Sequence, residues 1–548
     1  MDIKDKNMID RINTTVINTR KAENFKEKQS FRGVGTAALV GLKSLNDSPA
    51  IGACAVDLAS MVIPRTAIEM KNRGPQAGIE AAFREGTSCL IHACVGLIGL
   101  GAATLLSGKF NQTHGIKAQN IFASGSTIDN MSTIWKSAEG QRQFFDGFLQ
   151  NIKGLNGTEW KTISSGAKDD IVDGLVSLAE KSDLLSKAKG ADKSKLAKEV
   201  KALKNAVVSK VTKDTGAQAS FKMNAGAGLK DVSSSIGELV DNAVSLSNAF
   251  KTKSKDKLPD FVKALKGNKV ASTLLGMGIC AAMCISVQPI NRYLTKKRTG
   301  SDGFVGVEGK GGDNSKGFKA AKTAAGIAFP IFSLKTIGKM SDLVSNIQFN
   351  SKVPTLNQFK FLYGFTIGSR FLSSRDSNEL RESVIKDTLG YTNWLILGGM
   401  VSKLTARALG GKELINNPVA QEGKKGLGYA FKWLSKASVK SFDEVLLPNA
   451  KEIAKDGKAL KFSELFKKAD SATKAKVAKI ATSQVAGYLY SGLVLGVGIA
   501  KLNIFITKKL QAKKNAGKTN AQAQQPKLDL TDIAKLQQQK SAIFKDFN

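Results

Sequence analysis

Long stretches without a charged side chain interrupt an otherwise polar, lysine-rich chain. Three of them, 86–108, 270–291 and 480–500, have about the length that an α-helix needs to cross the hydrocarbon core of a bilayer. Each is followed by basic residues, as expected where a span meets water or anionic headgroups: Lys109, Arg292, Lys296, Lys297, Arg298, Lys508 and Lys509. The pattern predicts three membrane-spanning helices.

Shorter apolar runs are ambiguous: 33–42, 50–63, 323–334, 361–369 and 388–402. All the apolar runs could instead be buried helices of a large soluble core. Glycine favours the membrane, because Gly492 and Gly496 would each weaken a helix in water by about 1 kcal/mol but permit close helix contact in lipid. Tyr391 and Trp394 fit either an interfacial anchor or a core aromatic pair.

The second half of the chain repeats the order of features found in the first. Pro49 precedes Arg65 by the interval that separates Pro354 from Arg370. After a three-residue shift, three charged residues of the first half lie opposite three of the second: Glu80, Arg84 and Glu85 opposite Glu382, Lys386 and Asp387. The stretch 290–297 also matches 502–509. These matches predict an internal duplication and a pseudo-two-fold pair of membrane units.

We therefore predict a mainly α fold, a multi-span helical membrane protein with two pseudo-repeated halves and helical polar insertions. The predicted segments are a polar N-terminal segment 1–32, membrane part 33–108, basic helical insertion 109–269, terminal span 270–298, Gly-rich flexible linker 299–322, second membrane part 323–405, helical insertion 406–479, terminal span 480–509, and a disordered or partly helical tail 510–548 with a short helix near 530–544.

Basic residues predict the topology. The segments 1–32, 292–322 and 508–548 are all basic, so the positive-inside rule places them in the cytoplasm and gives each unit an even number of crossings. The insertions would then lie outside. The first 30 residues have no apolar signal core, and we expect a multi-pass protein of a bacterial cytoplasmic membrane without a cleavable signal peptide. The five cysteines all lie in apolar stretches, unlike a secreted disulfide framework.

The first insertion has the spacing of amphipathic helices at 195–211 and 235–250. Lysines line the polar face of the first of these helices: Lys198, Lys201, Lys204 and Lys210. Such a helix either lies on anionic lipid or forms the solvated side of a helical bundle. The net charge of +36 is spread over the chain and predicts a general attraction to anionic surfaces.

No motif with catalytic spacing is present, and there are only two histidines, His92 and His114. We therefore predict neither an enzyme nor a cofactor. The cysteines Cys89, Cys94, Cys280 and Cys284 could gather with His92 around a soft metal, but the spacing matches no standard zinc site. Apolar packing explains these residues better, so no metal is predicted.

The charges that recur in both halves are the candidate functional residues. Glu80 with Arg84, and Glu382 with Lys386, are i,i+4 pairs that would stabilise a helix. Alternatively, the repeated charges face each other as an ion-pair gate or solute site: Arg65, Glu80, Arg84 and Glu85 with Arg370, Glu382, Lys386 and Asp387. Asp57, alone in an apolar run, is a second candidate.

Two functions compete. The first is solute transport or lipid handling through a pathway between the two units. The second is a non-catalytic membrane scaffold whose basic insertions bind partners. Expected partners are membrane lipid, anionic in character, and a protein bound through 109–269. Nucleic acid is not expected, because aromatic residues are sparse in the basic regions and no recognition motif occurs.

Overall fold

The computed structural model describes residues 30–47, 55, 57–114, 118–153, 163–215, 221–224, 229–232, 236–306, 312–350, 354–397, 399–417, 426–450, 454–455 and 458–523. These residues are mostly helical, which confirms the predicted class. Pro49, Cys54, most of the N-terminal segment and the helix predicted near 530–544 lie outside the described residues.

Four helices open the first half: α1 Ser30–Asp47, α2 Ile63–Arg73, α3 Pro75–Ala93 and α4 Val95–His114, with a π-helical turn Leu58–Val62 leading into α2. Gly74, with φ of 92°, separates α2 from α3, and the Pro75 ring suits the first turn of α3 because no N–H is needed there. The predicted span 86–108 is not one straight helix. It divides at Cys94, where α3 and α4 meet at 54°.

The first insertion is a helical bundle with a small sheet. It comprises a 3-10 turn Ala118–Phe122, the helices α5 Gly125–Ser137, α6 Gln141–Gln150, α7 Ser165–Lys187, α8 Gly190–Thr215 and α9 Ile236–Lys251, and the antiparallel strands β1 Ile152–Lys153, β2 Phe221–Asn224 and β3 Leu229–Val232. The apolar face predicted for 235–250 is buried in its core, together with Phe144, Phe145 and Phe148.

Helix α10, Leu258–Thr299, is 42 residues long, about 63 Å at 1.5 Å per residue. Its first turns complete the core of the insertion through Leu258, Phe261 and Leu265. The rest contains the predicted span 270–291 and packs along α3 and α4. Gly300 ends the helix in the left-handed region, with φ of 68°.

The second half begins with α11 Lys316–Ile337, α12 Leu343–Asn346, α13 Leu356–Leu372, α14 Ser377–Tyr391 and α15 Met400–Gly410, with a π-helical turn Thr392–Ile396 after α14. Ser315 caps α11 by accepting a hydrogen bond from the Phe318 N–H, so the helix starts before the predicted end of the linker at 322. Phe304, inside that predicted flexible linker, is buried.

The second insertion contains α16 Leu427–Lys436, α17 Phe442–Leu446 and α18 Phe462–Lys468, with strand pairs β4 Ile415–Asn416 to β5 Ser438–Val439 and β6 Ala454–Lys455 to β7 Lys458–Ala459. Trp433, Phe442 and Phe462 lie in its core. The chain then continues through α19 Ser471–Tyr490, a π-helical stretch Ser491–Gly498 and α20 Ile499–Ala523, which together contain the predicted span 480–500.

Two continuous helical stretches are long and apolar enough to cross a membrane, Lys255–Thr299 and Ser471–Lys513. The bent pair Pro75–Ala93 with Val95–Leu106 is a third if it counts as one span. In the part of the chain that the structure describes, the shorter apolar runs do not meet this criterion by themselves.

The halves of the chain pack closely. Helix α13 lies against α10, while the π turn Leu58–Val62 lies against the π stretch Ser491–Gly498 and α2 against α20. Gly496 permits this contact, because a Cβ there would lie 2.1 Å from the Ser60 carbonyl oxygen. The small residues singled out in the sequence therefore do sit at a close helix crossing.

The aromatic pair near 391 belongs to a core cluster. Tyr391 is buried, and its hydroxyl lies 2.7 Å from Ser333 Oγ and 2.8 Å from Thr336 Oγ1. Trp394 packs on Phe359 and Tyr363. These contacts fit a core aromatic pair, which was one of the two alternatives for Tyr391 and Trp394, the other being an interfacial anchor.

Candidate functional site: a charged layer between the two halves

The ionisable residues singled out in the sequence lie together, buried between helices of the two halves. Arg65 projects from α2, and Glu80, Arg84 and Glu85 from α3. From the second half come Arg370 on α13 and Glu382, Lys386 and Asp387 on α14. All of these except the half-buried Arg84 are buried. We call this set, with the partners added below, the charged layer.

Glu85 is the centre of one group of ion pairs. Its carboxylate accepts from Arg370 Nη2 at 2.9 Å and from Lys386 Nζ at 3.0 Å, so it is held by two cations of the other half. Arg84 Nε lies 3.4 Å and Arg65 Nη1 3.8 Å from the same carboxylate. Arg370 also donates to Asp387 Oδ1 at 2.8 Å. One carboxylate of the first half thus joins cations of both halves.

A second group of ion pairs contains two arginines that the sequence analysis missed. Arg375 donates through both terminal nitrogens to Glu80, at 3.1 Å for Nη1, and Arg73 donates to Glu382 at 3.0 Å. Each arginine therefore pairs with the glutamate of the opposite half. The sequence contains a signal for these arginines, because the distance along the chain from Arg73 to Arg375 equals that from Glu80 to Glu382.

Each arginine also has a carboxylate partner close in sequence. Glu69 lies 3.1 Å from Arg73, and Glu379 lies 3.0 Å from Arg375. Burial opposes the charge on Arg375, but Glu379 and Glu80 outweigh it and raise the pKa of this guanidinium. Burial also tends to raise the pKa of Glu379, yet Arg375 outweighs burial and lowers it. The pair is therefore charged at neutral pH.

Two asparagines position the glutamates of this second group. Asn291 Nδ2 donates to the backbone oxygen of Glu80 at 3.2 Å, and Asn503 Nδ2 donates to that of Glu382 at 3.1 Å. Asn291 and Asn503 belong to the stretches 290–297 and 502–509, which match in sequence. The two matched asparagines thus make the same contact in the two halves.

Phe304, from the segment that joins the halves, lies between the two arginines. Its ring centre is 4.7 Å from the Arg73 guanidinium carbon and 5.6 Å from that of Arg375, within cation–π distance of both. Gly306, with φ of 72°, approaches the backbone of Arg73 so closely that a Cβ would lie 2.7 Å from its carbonyl oxygen. The segment that joins the halves therefore packs closely against the charged layer.

Two small cavities adjoin the charged layer. The Phe304 cavity, about 30 Å³, is lined by residues that include Phe304, Arg65, Glu80, Glu382, Lys386 and Asn503. The Asp57 cavity, about 40 Å³, is lined by residues that include Asp57, Arg65, Glu85, Arg370, Lys386 and Asp387. Arg65 and Lys386 line both. Each cavity has room for about two or three water molecules, and the side chains fill the remaining space.

The basic clusters lie at one end of the candidate spans. Lys296, Lys297 and Arg298 are exposed in the last turns of α10, and Arg292 is half-buried one turn earlier. Lys508 and Lys509 are exposed on α20. The charged layer and these clusters are separate, because the former is buried and the latter faces outward.

His92 lies beside Cys284, with Nε2 3.8 Å from its sulfur, and stacks on Tyr363 at a ring distance of 4.0 Å. Within the described ranges, no three His, Cys, Asp or Glu side chains are placed to hold a metal ion.

No protein-family model, curated protein or solved structure matches this chain. The function of this chain can therefore be inferred only from its own residues.

Proposed function

We propose that this chain is an integral membrane protein built from two related helical units, and that a small polar solute passes between the units through the charged layer. The observation that carries the proposal is the cluster of buried ionisable side chains, contributed by both halves, among helices with exposed apolar surfaces. Ionisable groups in a membrane bundle are costly and usually belong to a substrate or ion path.

Exposed apolar side chains support the membrane location. Large ones project from the candidate spans, for example Leu97 and Leu105, which are 70% and 77% exposed, and further along the chain Leu274, Met283, Ile290, Leu489, Leu493 and Phe505. Among the described residues of 118–257, in contrast, Leu184 alone is a large exposed apolar residue. Such a surface is unfavourable in water and suits a lipid environment.

Reciprocal contacts support a relation between the two units. Arg73 and Arg375 exchange glutamate partners, and Asn291 and Asn503 make equivalent contacts. The candidate spans Lys255–Thr299 and Ser471–Lys513 both start at an insertion and have basic residues near their ends, as parallel repeats would. Strand β7 of the second insertion contacts α8 of the first, so the insertions share one side. With the positive-inside rule, this arrangement favours basic helix ends in the cytoplasm and insertions outside.

The charged layer supports a closed pathway. Arg65 and Lys386 line both cavities and leave only water-sized spaces, so a solute could pass only after ion pairs between the halves separate. Phe304 is part of the wall of the Phe304 cavity. The proposal therefore predicts low permeability of the wild-type protein and higher permeability when Phe304 is removed.

The test starts with fractionation of cells that express the full chain. The protein is expected to stay in membranes after high-salt and alkaline carbonate washes and to dissolve in detergent. Purified protein is then reconstituted in liposomes, and glycerol and KCl permeability are followed by light scattering. Phe304→Ala should raise permeability severalfold. Phe431→Ala, which truncates a half-exposed phenylalanine of the second insertion, is the matched control. A soluble protein, or Phe304→Ala liposomes no leakier than protein-free ones, would contradict the proposal.

The second candidate is a membrane scaffold, and the first insertion favours it. This insertion has a core of its own and is tied to the second half by Lys269, whose Nζ donates to Ile121 O at 2.7 Å and to Phe349 O. Arg65→Gln and Arg370→Gln separate the two functions. Changed permeability with normal insertion supports transport, whereas unchanged permeability with altered binding to liposomes of anionic lipid supports the scaffold.

A further inference from the structure

Asp57 is a buried carboxylate that borders the ion pairs described above. It immediately precedes the π turn Leu58–Val62, is 8% exposed, and lines the Asp57 cavity. Met61, Ile367 and Leu395 form part of the same cavity wall. A carboxylate between an apolar wall and a water-sized cavity can exchange a proton with water in the cavity, while the apolar wall keeps other water away from it.

The groups around Asp57 are ionisable and come from four helices. They are Arg65 on α2, Glu85 and Cys89 on α3, Tyr363 and Arg370 on α13, and Lys386 and Asp387 on α14. The Cys89 thiol hydrogen-bonds to the Asp57 carboxylate. The π stretch Ser491–Gly498, which packs on the same turn, contains no ionisable residue. Asp57 and Glu85 therefore share Arg65 and Arg370 as neighbouring cations.

These neighbours act in opposite directions. Burial disfavours the charged carboxylate most strongly, and Glu85 adds repulsion, while Arg65 and Arg370 favour the charge. The balance raises the pKa of Asp57 from its usual 3.8 to about 6. Asp57 therefore changes charge between pH 5 and 7.

We infer that Asp57 is a proton-binding residue of the pathway, with the Asp57 cavity as the place where the proton enters and leaves. One O–H bond forms on the carboxylate as one breaks in a hydronium ion of the cavity, and no group is oxidised or reduced. Binding removes a negative charge that faces Arg65 and Arg370, which leaves Glu85 and Asp387 as the carboxylates beside these cations. Proton binding at Asp57 is thus coupled to the ion pairs that join the halves. Only the route of the proton through the protein rests on the proposed function.

Infrared spectroscopy of the purified full chain tests this inference without any flux measurement. The band of the protonated carboxyl group is followed from pH 4 to pH 9, with about 6 as the expected midpoint. Asp57→Asn should remove the titrating band, and Asp260→Asn, at an exposed aspartate of α10, should keep it. Glu85→Gln should lower the midpoint and Arg65→Gln should raise it, each by about one pH unit or more. Arg65→Gln keeps the test decisive if Glu85→Gln fails to fold.

An identical titration in wild type and Asp57→Asn would overturn the inference, as would a midpoint that moves in neither of the other variants. These results are separable from the proposed function. Permeability without a titrating Asp57 would overturn only the proton site, whereas a titrating Asp57 in a protein without permeability would contradict only the pathway.

Discussion

Replacing Glu85 with glutamine should weaken the junction between the halves strongly. Glu85 lies between 2.9 and 3.8 Å from four cations, two of them from the other half. At 3.0 Å and an effective dielectric constant of 20, one such attraction is about 5.5 kcal/mol, most of which desolvation offsets. Loss of one partner still costs about 3–5 kcal/mol, because the cations stay buried without it.

Thermal unfolding of the purified protein measures this cost. Because the entropy of unfolding grows with chain length, a chain of 548 residues loses roughly 1 °C of melting temperature per kcal/mol, so Glu85→Gln should melt roughly 3–5 °C below wild type. Lys386→Met removes one of the cations that Glu85→Gln leaves without this carboxylate. In the double variant it should recover part of the loss, with a coupling free energy of about 2–4 kcal/mol between the two sites.

The matched control is the exposed pair Asp183 and Lys187, joined at 2.6 Å on α7. Its coupling should be about 0.3–0.5 kcal/mol, as for surface i,i+4 pairs. A Glu85→Gln variant that melted within about 1 °C of wild type, or simple additivity of the two central substitutions, would show that Glu85 does not hold the halves together.

Three further predictions concern other features. Gly496→Val should abolish the monodisperse peak in size-exclusion chromatography, because its Cβ would lie 2.1 Å from Ser60 O, whereas Gly278→Val, in open space, should retain the peak. Tyr391→Phe removes a hydroxyl that contacts two hydroxyls of α11 and should cost about 1–2 kcal/mol in thermal unfolding. Burial lowers the pKa of Lys403 from 10.5 to about 8, so as pH rises the folded state loses this proton at a lower pH than the unfolded state does. Wild type should therefore gain stability over Lys403→Met between pH 8 and 10.5 in denaturant titrations, and a constant difference would contradict this.

Periodicity and spacing predicted much of the helical structure. The apolar face read from 235–250 is the buried face of α9, because helical spacing places those side chains on one side whatever they pack against. The charge-free stretch 270–291 likewise lies within α10. Local patterns determine such features, and the sequence contains them directly.

The partners within the charged layer could not be derived the same way. Glu80 with Arg84 fits a simple i,i+4 pair, yet Glu80 binds Arg375, from the other half of the chain. Phe304 lies in a glycine-rich segment whose composition predicts flexibility, and only the tertiary structure places its ring between two guanidinium groups. The break at Cys94 is equally hidden, since Gly96 beside it is one of several glycines in the same apolar run.

The exchange of partners between Arg73 and Arg375 has a consequence for folding. Within its own half, each arginine has a nearby carboxylate, Glu69 or Glu379, but the buried glutamates Glu80 and Glu382 take their arginine partners from the opposite half. A separated half would leave one of these glutamates without its arginine and would expose it to water instead, since each ion pair lies at the contact between the halves. The halves therefore complete each other electrostatically, so the charged layer forms only when both are in place. In the proposed pathway, a movement that opened the layer would therefore have to supply water or a solute to the same carboxylates.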